Sequence, residues 1–191
     1  MATPLVVLLD NYDSFTYNLY DYLLQIGVKC VVLRNDEADV AQLAALRPHA
    51  IVLSPGPGRP AQAGILNQSI AHFYTQIPIL GICLGHQAIG EFFGAELHHA
   101  HTPMHGKTSL CYHAQHAIFS GLPQPFVAMR YHSLLLKNPP STLQTIAHTA
   151  TNEIMAIAHT SLPIVGLQFH PESILTQNGI KMLQNWKKYF L

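Results

Sequence analysis

The stretch Ile79-Leu80-Gly81-Ile82-Cys83-Leu84-Gly85-His86-Gln87 decides the fold, because an apolar strand passes into a helix here through one cysteine between two glycines. A sharp strand-to-helix turn lifts the middle side chain clear of the backbone and points it toward the N-terminus of the helix. Gly81 and Gly85 permit this crowding because neither carries a Cβ. The pattern is that of the nucleophile elbow G-x-S-x-G with sulfur in place of oxygen. It makes Cys83 a candidate covalent nucleophile on an α/β fold.

The rest of the first half alternates strands and helices around this turn. We predict strands at 5–9, 29–33, 50–53 and 79–82, and helices at 15–26, 40–46, 68–76 and 86–93, with Ser14 as the N-cap of the first helix. The strands are apolar runs and do not alternate, so both of their faces are expected to be covered. This predicts an α/β fold with a mostly parallel central sheet and helices on both faces.

The second half carries shorter strands in which apolar and polar residues alternate. They are predicted at 108–112, 126–131, 143–147, 154–159 and 164–169, and a closing helix at 179–189 places Ile180, Leu183 and Trp186 on one face. These strands are expected to extend the sheet or to form a small antiparallel addition. The chain shows no internal repeat or linker, so we predict a single domain over residues 1–191.

Composition excludes several classes of function. Lys+Arg and Asp+Glu number ten each, so no basic field is present to attract nucleic acid. No apolar run reaches the ~18 residues of a membrane span. The N-terminal MATPLVVLLDNYD lacks a basic n-region and is interpreted as leading into a buried strand, not as a signal peptide. Three cysteines without a C-x-x-C pair suit a reducing, cytoplasmic setting.

Cys83 needs its thiolate form to act as a nucleophile. The helix N-terminus that follows and a histidine base are two features that would favour it. The alternative is an ordinary buried cysteine, which we accept for Cys30 and Cys111 because both lie inside strand patterns. The flanking glycines argue against that alternative at Cys83, since a core strand gains nothing from them.

The best partner among thirteen histidines is His170, in Gly166-Leu167-Gln168-Phe169-His170-Pro171-Glu172-Ser173. It ends an apolar strand, where a side chain emerges at the carboxyl edge of the sheet beside the elbow. Pro171 disfavours a helical conformation at His170. Glu172 is close enough to orient the imidazole as the third member of a triad, whose members are defined by geometry and not by chain order. A histidine in a strand-ending turn is the alternative.

Acyl transfer also needs donors for the oxyanion. The N–H of Leu84, directly after the nucleophile, is one donor by position. The segment Ser54-Pro55-Gly56-Pro57-Gly58 follows a predicted parallel strand and can supply another, because glycine lets the backbone approach a substrate closely. From this segment alone, a loop of ordinary turn residues explains the pattern equally well.

A cluster of histidines offers a competing chemistry. His98, His99, His101 and His105, with the later His113 and His116, resemble a zinc-binding tract. No cysteine or carboxylate pair accompanies them at ligand spacing, so we favour a surface loop and predict neither a metal nor another cofactor.

Taken together, these motifs resemble the class I (triad) glutamine amidotransferases, over essentially the whole stretch from Leu5 to Lys188. The resemblance implies that the cysteine of G-x-C-x-G-x-Q and the H-P-E pair form the triad Cys83, His170 and Glu172. It further implies a set of residues that hold the oxyanion and the substrate glutamine: Gly56, Gly58, Leu84, Gln87, Ser133 and Leu134. The last two lie in the segment Tyr131-His132-Ser133-Leu134, which matches the family's Y-H-S-L.

Two further segments resemble one branch of that family, the small subunits of anthranilate synthase and aminodeoxychorismate synthase. They are the segments 10–18 (DNYDSFTYN) and 104–109 (MHGKTS). The resemblance implies a glutaminase that hydrolyses L-glutamine through a thioester on Cys83 and passes ammonia to a larger chorismate-binding subunit, in a heterodimer or heterotetramer. A free-standing cysteine hydrolase of γ-glutamyl compounds is the alternative enzyme, and a non-catalytic binding module is a third hypothesis.

Overall fold

A computed structural model describes residues 3–191, and Met1 and Ala2 lie outside the described part. Within it the strands are β1 (Leu5–Asp10), β2 (Lys29–Arg34), β3 (Ala50–Leu53), β4 (Ile79–Ile82), β5 (Glu96–His113), β6 (Phe126–Lys137), β7 (Leu143–Thr149), β8 (Ile154–His159) and β9 (Ile164–Leu167). The helices are α1 (Thr16–Gln25), α2 (Val40–Ala45), α3 (Leu66–Phe73), α4 (Leu84–Phe92) and α5 (Gly179–Phe190). None of these described helices has the length and hydropathy needed to cross a membrane.

The strands form one mixed sheet in the order β2-β1-β3-β4-β9-β8-β7-β5-β6. The first five are parallel to one another, and β8, β7, β5 and β6 continue the sheet in antiparallel pairs. The predicted fold class is confirmed, and the antiparallel addition amounts to four strands within residues 3–191. Because β3, β4 and β9 are adjacent and parallel, the loops that follow them meet at one edge of the sheet.

Two apolar cores lie on opposite faces of the sheet, as the unbroken apolar strands predict. Along β1, Val6 and Leu8 face the core that contains the buried residues of α1 and α5. Val7 and Leu9 face the other core, which α2, α3 and α4 cover. Both faces of the parallel half are therefore shielded from water.

The start of α1 differs from the sequence-based prediction. The N-cap is Phe15, and no side chain makes a capping hydrogen bond, so the prediction of Ser14 as the cap is wrong. The preceding turn is held instead by Asp13, whose carboxylate accepts a hydrogen bond from the Phe15 N–H at 2.8 Å. An aspartate that bonds to the backbone two residues ahead competes with capping by the neighbouring serine.

The predicted surface loop around the histidine cluster is also wrong, because residues 96–113 form the single long strand β5. His98, His99, His101 and His105 are exposed on it, and β5 pairs with β6 along most of its length. The pairing shifts register between His99 and Met104. Exposed polar residues on an outer strand lack the alternation that distinguishes a strand from a loop in sequence.

Candidate active site

The elbow forms where the sequence predicts it. Strand β4 ends at Ile82, α4 begins at Leu84, and Cys83 between them has φ 50° and ψ −97°. A Cβ on Gly81 would lie 2.5 Å from the backbone of Gly85, and one on Gly85 would lie 2.5 Å from the Leu53 carbonyl oxygen. Both glycines are therefore required by contacts, and the strained turn presents the Cys83 thiol at the start of α4.

His170 and Glu172 lie in the loop that follows β9, the strand next to β4. Nδ1 of His170 is 2.7 Å from Oε1 of Glu172, and both side chains are almost completely buried. The backbone of His170 is held on both sides, since its N–H donates to the Met129 carbonyl and its carbonyl accepts from the Thr176 hydroxyl. Nε2 has no partner of standard hydrogen-bond geometry among the described residues, and His170 shares a cavity with Cys83.

The charge state of His170 follows from its neighbours. Burial lowers its pKa, but the negative charge of Glu172, the proximity of Cys83 and the hydrogen bond to Glu172 outweigh burial, so the pKa lies well above its usual value. The ring is thus held as an imidazolium next to the sulfur. A cationic imidazole of this kind stabilises a cysteine thiolate.

His86, three residues after Cys83, is not a competing base. It is completely buried, and burial lowers its pKa to about 3. Its ring lies against Gly166, where an added Cβ would come within 2.8 Å of Nδ1. His86 therefore acts as a neutral packing group between α4 and β9.

The loop after β3 brings Gly56 to the start of α4. A Cβ on Gly56 would lie 2.9 Å from the Leu84 side chain and 2.6 Å from Asn11, so only glycine fits. The buried Asn11 anchors this loop: its N–H donates to Ser54 Oγ at 2.8 Å, and its side-chain amide donates to the Ser54 carbonyl at 2.9 Å. This contact places Gly56 beside Leu84, the residue that directly follows Cys83, and both offer a backbone N–H as a candidate donor to an oxyanion.

A cavity of about 750 Å³ opens above Cys83. Of the residues named from sequence it is lined by Cys83, His170, Gly56, Gly58, Gln87, Ser133 and Leu134. Leu84 contacts Gly56 behind this lining, and Glu172 lies behind His170. The structure thus brings residues from four separate segments around one opening.

Gln168 is a site residue that sequence reasoning missed. It is fully buried, and its Nε2 donates to Cys83 Sγ at 3.6 Å, while its Oε1 accepts from Nε2 of Gln87 at 3.1 Å. A donor directed at the sulfur stabilises a negative charge there. Its position two residues before His170 was the one feature of the sequence that could have indicated a role in the site. A glutamine in an apolar strand is not by itself a catalytic group, so the sequence provided no reason to select it.

The histidine cluster does not assemble a metal centre in the described part of the chain, where no group of three metal-ligating side chains comes together. His98 pairs with Glu96 at 2.7 Å. His105 lies against Tyr131 at the mouth of the cavity and is 3.0 Å from the Ser133 hydroxyl. This end of the cluster reaches the site, where His99 and His105 both line the cavity.

Comparison with known proteins shows which family the chain resembles over its length. Residues 7–188 match the family model described as Glutamine amidotransferase class-I. Anthranilate synthase component 2 of Pseudomonas putida is 47% identical over 191 residues, with 96% of each chain covered. Aminodeoxychorismate/anthranilate synthase component 2 of Bacillus subtilis strain 168 is 49% identical, with 95% of each chain covered. Aminodeoxychorismate synthase component 2 of Serratia marcescens is 46% identical, with 95% of this chain and 98% of the relative covered.

The fold comparison agrees with the sequence comparison. A crystal structure of a protein described as a GMP synthase component from Thermoplasma acidophilum superimposes with a TM-score of 0.86. It is 29% identical in sequence, and the match covers 97% of this chain and 93% of that one.

Proposed function

The chain belongs to the class-I glutamine amidotransferases, and we propose that Cys83, His170 and Glu172 are its catalytic triad. The observation that carries this proposal is the buried His170–Glu172 pair, 2.7 Å apart, beside a cysteine held at a strained elbow. No other described cysteine has such surroundings, since burial raises the pKa of Cys30 and that of Cys111 to about 12. Those two thiols are held protonated and inert.

The first half-reaction of the proposed mechanism releases ammonia. The Cys83 thiolate attacks the carboxamide carbon of glutamine, and the N–H groups of Gly56 and Leu84 hold the resulting oxyanion. His170, as imidazolium, gives its Nε2 proton to the departing nitrogen. The C–N bond breaks, ammonia leaves, and a γ-glutamyl thioester remains on Cys83.

The second half-reaction regenerates the enzyme. His170, now neutral, takes a proton from a water molecule as that water attacks the thioester. The C–S bond breaks, glutamate leaves, and the sulfur returns as thiolate beside the imidazolium. Glu172 keeps the ring oriented through Nδ1 and stabilises its positive charge in both steps.

Gln87, Ser133 and Leu134 are proposed to bind the amino-acid end of glutamine. All three line the cavity together with Gly56 and Gly58. Polar groups in this position fix the carboxamide of the substrate over the sulfur, as attack requires.

The acceptor of the ammonia is proposed to be a larger, chorismate-binding synthase subunit, because the full-length relatives are named as second components of anthranilate and aminodeoxychorismate synthases. A heterodimer or heterotetramer would deliver ammonia without its protonation in bulk water, and the product would serve tryptophan or folate biosynthesis. Ile174, 90% exposed, and its neighbour Leu175, 48% exposed, directly follow the Glu172–Ser173 pair and support a contact surface beside the site.

We place the complex in the cytoplasm, as the three free cysteines support, with residues 1–191 as one glutaminase domain.

The alternative of a free-standing hydrolase of γ-glutamyl compounds is not favoured, because these relatives are named as components of two-component synthases. A non-catalytic binding module is not favoured either, since its cavity would not need an ion-paired histidine next to a thiol.

Replacement of the nucleophile tests the proposal. In the complex purified with its synthase subunit, Cys83→Ser should abolish glutamine-dependent product formation and leave ammonia-dependent formation intact. Cys30→Ser is the matched control and should keep both activities, because Cys30 lies in β2 outside the cavity. Glutamine-dependent turnover by Cys83→Ser would refute the assignment, as would the absence of a Cys83 adduct when the wild-type chain meets a glutamine-like diazoketone.

A further inference from the structure

A buried ion pair lies outside the catalytic residues. Arg130, in β6, is 3% exposed, and its Nη2 is 2.6 Å from Oε2 of Glu153, in the turn before β8. Nη1 donates to the Ser109 hydroxyl at 3.2 Å. A buried ion pair adds little net stability because desolvation of the two charges offsets their attraction, so this arrangement calls for a reason beyond packing.

The remaining donor of Arg130 determines the state of His132. Nε of Arg130 donates to Nε2 of His132 at 3.1 Å, so Nε2 must be the acceptor. The ring proton then lies on Nδ1, which donates to the Leu134 carbonyl at 2.8 Å. Burial, with the positive charge of Arg130, lowers the pKa of His132 to about 3, which keeps this single neutral tautomer at all physiological pH values.

The Leu134 carbonyl joins this buried group to the site. It accepts a second hydrogen bond, from Nε2 of Gln87 at 3.2 Å. Because a carbonyl can only accept, this contact determines which end of the Gln87 amide faces it. The same Nε2 then donates to Gln168, whose own amide donates to Cys83 Sγ. An unbroken series of hydrogen bonds therefore runs from Glu153 to the nucleophile.

The pairing of β5 with β6 leaves this segment in need of such support. His99 pairs with Leu134 and Met104 pairs with His132, so the register shifts opposite Ser133. A regular ladder of β5–β6 hydrogen bonds would fix the backbone of this segment. Because the ladder is irregular here, side-chain hydrogen bonds must fix the orientation of the backbone instead. His132 and Gln87 supply those contacts from two sides.

We propose that Glu153, Arg130 and His132 are positioning residues for glutamine, which fix the Leu134 carbonyl and with it the Ser133–Leu134 backbone and the Gln87 amide. This inference rests on the proposed binding of glutamine by those three residues. A purely structural role is the competing explanation, in which the ion pair only ties β6 to the β7–β8 turn.

Two alkylating probes separate these explanations. A glutamine-like diazoketone must be held by its amino-acid end before it reacts with Cys83, whereas iodoacetamide needs only the thiolate. His132→Leu removes the donor to the Leu134 carbonyl, and we expect its labelling by the diazoketone to slow about ten-fold, the effect of one lost hydrogen bond to an aligned group. Its labelling by iodoacetamide should stay within about two-fold of wild type, since the Cys83–His170 pair is intact.

Conservative variants supply the rescue and the control. In His132→Asn the amide nitrogen takes the place of Nδ1, so diazoketone labelling should return to within about three-fold of wild type. Glu153→Gln, a change in a partly exposed turn away from the cavity, should slow diazoketone labelling selectively. His148→Leu is the matched control: it removes a histidine–carbonyl hydrogen bond of 2.9 Å, to Thr149, in the same half of the sheet but outside the cavity, and should react like wild type with both probes.

The outcomes are distinct. Equal diazoketone labelling of wild type, His132→Leu and Glu153→Gln overturns the positioning role. An equal slowing with both probes, accompanied by a lower Tm, shows a structural role instead and also overturns it. Failure of the wild-type chain to form the diazoketone adduct at Cys83 overturns the proposed function itself, and the inference with it.

Discussion

The backbone strain at Cys83 makes a quantitative prediction about stability. A φ of 50° with a ψ of −97° is sterically unfavourable for any residue with a Cβ, at a cost of about 1–3 kcal/mol. Glycine avoids this cost, because its allowed map includes the mirror image of the extended region. Cys83→Gly should therefore be relieved of strain that Cys83→Ala retains.

Replacement of alanine by glycine also changes stability in ways unrelated to strain, and these effects must be subtracted before the strain can be measured. Ala→Gly at a buried site loses a methyl group, worth about 0.8 kcal/mol, and adds backbone entropy to the unfolded chain, worth about 0.5–1 kcal/mol. Ala88, also buried and in the helix that Cys83 precedes, provides the reference for both. In the Cys83→Ala background, Ala88→Gly should cost roughly 1.3–1.8 kcal/mol, whereas Ala→Gly at position 83 should be more favourable than that by about 1–3 kcal/mol.

The assay is urea unfolding of the three variants, followed by fluorescence of the buried Trp186, with free energies extrapolated to water. The variants are Cys83→Ala, Cys83→Gly and Cys83→Ala with Ala88→Gly. If alanine-to-glycine exchange costs the same at position 83 as at Ala88, Cys83 is not strained and the elbow does not store energy.

Two more predictions concern the triad and the oxyanion loop. Because Glu172 helps to raise the pKa of His170, the charged pair stabilises the fold fully below the unfolded pKa of about 6.5, and this stabilisation is lost as pH rises through the folded-state value. The difference in unfolding free energy between wild type and Glu172→Gln should therefore shrink from pH 6 upward in urea titrations, and a difference that grows with pH would contradict the assignment. Ser54→Ala removes the acceptor of the Asn11 N–H and should lower kcat about ten-fold with little change in KM, because the Gly56 N–H is proposed to act on the oxyanion and not on bound glutamine. A change confined to KM would argue against that role.

Sequence rules that act between neighbouring residues were sufficient to predict the strand and helix next to Cys83. Gly81 and Gly85 could be interpreted from the sequence because their need for glycine is local. A Cβ on Gly81 would clash with the backbone four residues later, and a Cβ on Gly85 would clash with the adjacent strand β3. Strand β4 and the predicted parallel half followed from apolar runs. Ser14 failed as a cap because Asp13 and Ser14 compete locally, and sequence does not say which of two neighbouring polar side chains turns inward.

The histidine-rich segment shows why the antiparallel half was harder. Exposure on an outer strand leaves no alternation to find, so this part of strand β5 was predicted as a loop. What defines it as a strand is pairing with β6, a partner that follows it in the chain. Pairing of this kind is a property of the folded sheet, and it imposes no recognisable sequence pattern on the exposed residues.

The sequence by itself determined the α/β fold and the family, and it singled out the proposed nucleophile and its base, because each depends on short motifs whose members are adjacent in the chain or recur in a known order. Only the tertiary structure decided that Gln168 faces Cys83 across 85 positions and that Arg130 pairs with Glu153 across 23. These contacts depend on strand register, since a shift of one residue turns each side chain to the opposite face of the sheet. The hydrogen bonds from Glu153 to the sulfur therefore exist only once the sheet has brought β6, β9 and α4 together.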